Sequence, residues 1–387
     1  MAAKTNCIKN GIRYFRLSVT VGKDGEGKSV RKEFYGKSKT EAETKRDEYL
    51  EGIKKGLAIS YNKIKLGDFL HTWLFDVLRL SEMKPSTFDR YEGLYRNYIK
   101  HSWLNNILVC ETRSIIIQRY YNECYEAGIS SKTIRTIHKL LRYFFNYCIA
   151  EDYLIKNPCF KLTIPGTIEE KKSKEMDPFQ DEEVIAIKQA LKNNNIETAV
   201  LLCFGTGLRE GELLGLSFDD VDLDIGELYV RKTLKRVKII NKDGKHKYMR
   251  LLQEPKTKES CRVIPIPSAI IKQLKSHIAK QKEKLIRNGI PYSPDKLLFT
   301  TDSLGFIDDR NLLRAWQRVL KKANIRYRNF HTIRHTYATK LFENGIPLKT
   351  VSILLGHSDI KITANIYTHV MPREKEKAAE TLNHLLL

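Results

Sequence analysis

A chain of 387 residues is longer than one hydrophobic core usually supports, so two or three domains are expected. The hydrophobic fraction of 42% is that of an ordinary folded protein, whereas a formal net charge of +22 suggests a polyanionic partner. No apolar run approaches the roughly 18 residues of a membrane-spanning helix, and the opening MAAKTNCIKNGIRYF has no stretch of signal-peptide type, so a cytoplasmic protein with no membrane partner is expected.

Residues 12 to 35 alternate as strands do. RYFRLSVTV, the turn GKDGEGK and SVRKEFYG read as a hairpin. SKTEAETKRDEYLEGIKKG follows as a helix, with Ser38 as its cap and Ala42, Tyr49 and Leu50 at helical spacing. Small basic units such as this one, residues 1–62, are often mere appendages. The hairpin and the charge favour a module that enters a DNA groove.

Residues 63–162 form a helical domain of four segments: LGDFLHTWLFDVL, KPSTFDRYEGLYRNYIKHSWL, ETRSIIIQRYYNECYEAG and SSKTIRTIHKLLRYFFNYCIAEDYL. In the last, Ile134, Ile137, Leu141, Phe144 and Cys148 share one face, and Lys132, Arg135, Lys139 and Arg142 share the opposite one. A charged stripe is more commonly just a solvated face. Four like charges with no interleaved carboxylate, however, repel one another unless a polyanion lies against them, and these four are the candidate DNA contacts.

TIPGTIEEKKSKEM, residues 163–176, reads as a linker that lets its two sides close around a duplex. The remainder, residues 177–387, is mixed α/β. Asp177 before Pro178 reads as a helix cap, ETAVLLCFGTG as a buried helix, and residues 227–240, 247–253 and 261–266 as β-like stretches before helices resume. Seven cysteines, Cys7, Cys110, Cys124, Cys148, Cys159, Cys203 and Cys261, are scattered without a C-x-x-C pair and read as reduced thiols. The histidines lack partnering cysteines or an H-E-x-x-H helix, so no metal site is expected.

Arg209 follows a glycine turn at the start of a helix through Leu216. Free N–H groups and a guanidinium together make an anion site, although a surface salt bridge to Glu210 or Glu212 is the plainer reading of that residue alone. Lys256 occupies a turn in EPKTKESCRVIPIP, from which a lysine can reach into a groove and present a proton to a leaving oxygen. His331 and Arg334 are i, i+3 neighbours and face the same way on a helix, while His335 points about 100° away and is assigned to packing. His357 follows Leu355-Gly356, and Tyr367 lies one short helix further on.

On TGLREGEL, PKTKESCRVIPI, HTIRHTYAT and LLGHSDIKITANIYTHV, in that order, the chain resembles the tyrosine recombinases, or phage integrase family, most closely the integrases of conjugative transposons. The likeness covers nearly the whole chain. It implies catalytic roles for Arg209, Lys256, His331, Arg334 and His357, with Tyr367 as the nucleophile. The spacing from His357 to Tyr367 is one residue longer than in simpler members.

The implied chemistry is coherent. Arg209 and Arg334 fit the charge that develops on a phosphodiester under attack. Tyr367 would form a 3′-phosphotyrosine, which conserves the bond energy without ATP, while His331 takes up the phenolic proton, Lys256 donates one to the departing 5′ oxygen and His357 hydrogen-bonds the transition state. Two arginines and a lysine do what divalent ions do in nucleases, so neither metal nor other cofactor is expected.

The expected fold is multidomain and mainly α with β elements: an N-terminal hairpin-and-helix DNA-binding module, a helical core-binding domain and a mixed catalytic domain. The expected function is integration and excision of a mobile element by site-specific strand exchange. Expected partners are duplex DNA with core-type and arm-type attachment sites, a homotetramer formed by exchange of the tail PREKEKAAETLNHLLL (372–387), and an excision or directionality protein. The rival readings are a type IB topoisomerase, a DNA-binding regulator that has lost catalysis, and a metal-dependent nuclease.

Overall fold

A computed structural model describes residues 7–9, 12–23, 29–54, 64–167, 177–254 and 258–367. Two compact units divide the chain, Met1–Ser173 and Lys174–Leu387. The fold is mainly helical with small sheets, as the patterning predicts.

In the first unit, the expected hairpin gains a third strand. β1 (Cys7–Lys9), β2 (Ile12–Lys23) and β3 (Ser29–Gly36) form an antiparallel sheet in that order. Helix α1 (Lys39–Lys54) starts where predicted, because the Ser38 hydroxyl accepts the Glu41 N–H at 3.1 Å and the Glu41 carboxylate accepts the Lys37 N–H at 2.8 Å. Ala42 on α1 and Phe34 on β3 are buried.

Four further helices follow. α2 (Leu66–Thr72) and α3 (Pro85–Leu94) each run on into a wider turn, Trp73–Val77 and Tyr95–Ile99 respectively, and α4 (Ser114–Glu126) and α5 (Ser131–Ala150) complete the set. The α5 stripe resolves as its periodicity requires. Ile134, Ile137, Leu141, Phe144 and Cys148 are fully buried, each large apolar side chain contributing about 1.5 to 3 kcal/mol, while Lys132, Arg135, Lys139 and Arg142 are exposed.

The second unit opens with α6 (Asp181–Leu191), α7 (Glu197–Thr206) and α8 (Glu210–Leu214). Two expectations are corrected here. Asp177 caps no helix, since α6 starts four residues later with the Gln180 N–H donating to Glu183, and Asp177 instead pairs with Arg326 and Arg328. The delay lets Phe179 bury its ring edge-on against Trp316, 5.8 Å between centroids. The helix expected through Leu216 ends at Leu214, because the Leu216 carbonyl accepts the Leu298 N–H at 2.8 Å and so leaves the helical path.

Beyond α8, the stretch 227–240 is not one strand. β4 (Val221–Asp222), β5 (Glu227–Val230) and β8 (Arg262–Pro265) make one antiparallel sheet, and β6 (Thr233–Ile240) with β7 (His246–Gln253) makes a separate hairpin inserted between the neighbours β5 and β8. The break after Val230 lets Leu234 pass against Gly215, where an added Cβ would stand 2.9 Å from the Leu234 nitrogen.

Helices α9 (Ser268–Arg287), α10 (Asp309–Lys322), α11 (Thr332–Glu343), α12 (Leu348–Leu355) and α13 (Ile360–Tyr367) finish the described chain. The main core gathers Leu213, Ile264, Leu298, Trp316 and Ile333. A smaller core joins Ala338 and Phe342 of α11, Val351 and Leu355 of α12 and Ile366 of α13. That second core fixes the backbone on which Tyr367 sits.

Candidate active site

The candidate residues meet where α8, α11 and the turn after α12 come together. Gly207 ends α7 in the left-handed region at φ 64°, and the chain then enters α8 through Arg209. Arg334, one turn into α11 and only 2% exposed, donates one Nη to the Gly207 carbonyl at 2.9 Å and the other to the Leu355 carbonyl. Its guanidinium therefore ties the turn before Arg209 to the end of α12. Gly356 takes the left-handed region at φ 62°, which lets the chain reverse into His357.

Arg209 donates to the Glu212 carboxylate at 2.5 Å and to the Gly356 carbonyl at 3.3 Å, with 35% of its side chain exposed. The salt bridge suspected from the sequence is present, but its acid is interior: Glu212 is 5% exposed. The sequence reading named Glu212 only as a surface partner and missed its second partner, Arg262. Arg262 is 3% exposed and forks onto Glu212 at 3.2 and 2.9 Å. A signal existed: strand β8 alternates, and Arg262 occupies the inward phase with Ile264, where an apolar side chain belongs.

Two guanidiniums, Arg209 and Arg262, thus bond one interior carboxylate, with the charge of Arg334 close by, and of the three Arg209 is the one that keeps solvent exposure. Burial would raise the pKa of Glu212, but the hydrogen bond and charge of Arg262, then the charge of Arg209, outweigh it and hold the acid at about 2. The histidines are driven the other way. His331 stands at the exposed edge of the site, and partial loss of hydration there, then His335, Arg334 and Arg209, against the opposing Glu212, moves its pKa below the ordinary histidine value. His357 falls to about 3 through burial, then Arg334, Arg209 and Arg262. Both imidazoles are thereby pushed toward the neutral form, in which a ring carries one N–H and one bare nitrogen. Burial, followed by the charge of Arg209, also lowers the pKa of Arg334, with Glu212 opposing. Such an arrangement can hold an anion, with imidazoles alongside it.

His335 does more than pack away from the site: its ring stands perpendicular to that of His331, 4.7 Å between centroids, and its Nδ1 is buried without a hydrogen-bond partner among the described residues. Tyr367 is the last residue of α13, one residue beyond the buried Ile366. The Tyr367 side chain, Lys256 and the tail 372–387 lie outside the described residues. Lys132, Arg135, Lys139 and Arg142 stand on the exposed face of α5 in the other unit.

Residues 174–374 match the phage integrase family model. A tyrosine recombinase XerC-like protein of Caldanaerobacter subterraneus subsp. tengcongensis is 53% identical over 392 residues, covering 100% of both chains. The chain belongs to the phage integrase family. As a tyrosine recombinase it is an enzyme that transfers DNA strands. The ICEBs1 integrase of Bacillus subtilis is 26% identical over 311 residues, 79% of each chain. Among solved structures, the Tn1549 transposon integrase in complex with a circular intermediate DNA matches at a TM-score of 0.64 and 21% identity, over 79% of this chain and 95% of that one.

Proposed function

We propose that this tyrosine recombinase integrates and excises a mobile element by site-specific strand exchange through a 3′-phosphotyrosine at Tyr367. The observation that carries the proposal is the excess of buried guanidinium over carboxylate beside two imidazoles pushed toward the neutral form. A phosphodiester entering at Arg209 is met by charge that is already in place, so little reorganisation is needed as its non-bridging oxygens gain charge. The Tyr367 phenol attacks phosphorus and its proton passes to the neutral His331. The bond to the 5′ oxygen breaks, and Lys256 protonates that oxygen as it leaves. His357 donates to a non-bridging oxygen. Attack of a 5′ hydroxyl from the other duplex on the phosphotyrosine then releases the phenol and seals the recombinant strand, with no ATP spent.

Exchange between two duplexes breaks four strands, and each break needs one nucleophile, so the working assembly is a homotetramer on DNA. The tail 372–387 carries Ala378, Leu382, Leu385 and Leu386 at helical spacing, and its exchange between protomers would couple neighbouring sites. Residues 1–62 serve arm-type sites, residues 63–162, through Lys132, Arg135, Lys139 and Arg142, bind the core-type site, and residues 177–387 carry the catalysis, with 163–176 as the linker. An excision protein sets direction, and the reaction runs in the cytoplasm of a bacterium.

The ICEBs1 and Tn1549 relatives support the mobile-element reading. The test is incubation with two attachment sites on separate molecules. Recombinant junctions are expected, whereas supercoil relaxation without junctions would replace the proposal with a topoisomerase.

A further inference from the structure

Arg262 joins three segments that frame the candidate site: Glu212 on α8, the last turn of α12 and the carbonyl of Ser260 just ahead of β8. Its fork holds both oxygens of Glu212, at 3.2 and 2.9 Å. Its Nε donates to the Leu354 carbonyl at 2.6 Å, in the last turn of α12, two residues before the left-handed Gly356 and three before His357. Gly356 packs directly on it: an added Cβ would lie 2.9 Å from the Arg262 Cδ and 3.0 Å from the Glu259 carbonyl. Arg262 also begins β8, and the residues just ahead of that strand lead back to Lys256.

On the recombinase reading, we infer that Arg262 is a positioning residue: one guanidinium sets Glu212, and through it Arg209, in register with the His357 turn. The geometry requires arginine specifically. Holding a carboxylate with two nitrogens while a third reaches a carbonyl uses the planar fork, and a lysine offers a single point of charge on a flexible stem. An arginine at 3% exposure spends no charge on solvent or DNA. Its positive charge is absorbed by Glu212, which leaves the more exposed Arg209 held in place yet open on its outer side.

Glu212 faces Arg209 on its own helix, Arg262 on β8, Arg334 and His331 on α11, and Cys203 on α7. Among the groups that lower its pKa, Arg262 is first. Without Arg262 the acid titrates at higher pH, and once protonated it no longer holds Arg209. A depressed carboxylate is functional above its pKa and fails as pH falls through it. The acid limb of the cleavage profile therefore moves upward when Arg262 is lost.

The experiment measures the single-turnover rate of covalent adduct on a nicked core-site substrate across pH, with half-site binding followed by gel shift. Arg262→Lys and Arg262→Met are both expected to bind DNA as the parent does and to cleave roughly 100-fold more slowly, the scale of a reacting group misplaced by about 1 Å. Both are expected to show an acid limb at higher pH than the parent. Arg262→Met/Glu212→Met should be no slower than Arg262→Met, because the two residues act as one strut. Parent-like rates in Arg262→Lys overturn the inference. So does a slowed profile that superimposes on the parent's after scaling, which is the mark of a purely structural loss. A parent protein that forms no adduct overturns the recombinase mechanism and this inference with it, whereas adduct formed equally by parent and variants overturns this inference alone.

Discussion

The Nδ1 of His357 lies 2.8 Å from the hydroxyl of Thr363, one turn before Tyr367 on α13. Thr363 is fully buried and His357 half-buried, so this bond is shielded on its Thr363 side. It fixes the imidazole plane and commits Nδ1, leaving Nε2 for another partner. It also links the turn after Gly356 to the helix that ends at Tyr367.

Replacing Thr363 with valine keeps the shape and deletes the hydroxyl. Adduct formation should fall by roughly 10- to 100-fold, the range typical when a partner that orients a functional histidine is removed. Thr363→Ser should recover most of it, and half-site affinity should stay unchanged in both. Single-turnover cleavage beside gel-shift titration checks this.

The depressed histidines carry a pH signature. With both values lowered, His331 and His357 bind fewer protons in the folded protein than in the unfolded one. Stability is therefore fully present above the ordinary histidine range and is lost as pH falls through it. The DNA-free protein should melt at progressively lower temperature from about pH 6.5 downward. Histidine NMR titrations should show both rings neutral at pH 5.5, and an anion in the site should move both upward.

Glu210 behaves oppositely. Burial, then the nearby charge of Asp309, raises its carboxyl to about 7, and its Oε1 is buried without a hydrogen-bond partner among the described residues. A raised carboxyl stabilises the fold below the unfolded value and loses that contribution as pH rises through 7. Glu210→Gln should then stabilise the protein at pH 8 by about 1 kcal/mol after allowing for partial exposure, with little change at pH 5. Urea denaturation at the two pH values measures the difference.

On α5 the four exposed cations predict a salt effect. Lys139→Ala should reduce the slope of log affinity against log salt by about 0.9 if that ammonium meets a phosphate, and should weaken binding equally on different sequences. Binding titrations over a range of salt concentrations decide it.

The α5 stripe was fully legible because helical periodicity and burial are the same physics: every residue at the apolar spacing is interior. Arg209, His331, Arg334 and His357 could be picked out as candidates for a different reason, since each sits beside a glycine turn or on a short i, i+3 spacing that local sequence displays. The pairing of Glu212 with Arg262 was not legible. Fifty residues separate them, and their role exists only once β8 lies against α8. Asp177 misled because a local cap signal competed with the burial of Phe179, and burial won. The run 227–240 is β as its composition predicts, but β-propensity does not reveal that the chain changes sheets within it to pass Gly215.

The central claim is that Tyr367 becomes joined to DNA. The direct measurement is to trap the protein on a nicked core-site substrate, digest the complex with protease and nuclease, and map the modified peptide by mass spectrometry. The account predicts a nucleotide attached through its 3′ phosphate to the Tyr367 oxygen, and no adduct from Tyr367→Phe despite normal binding. A linkage to any other residue, or through a 5′ phosphate, would contradict it.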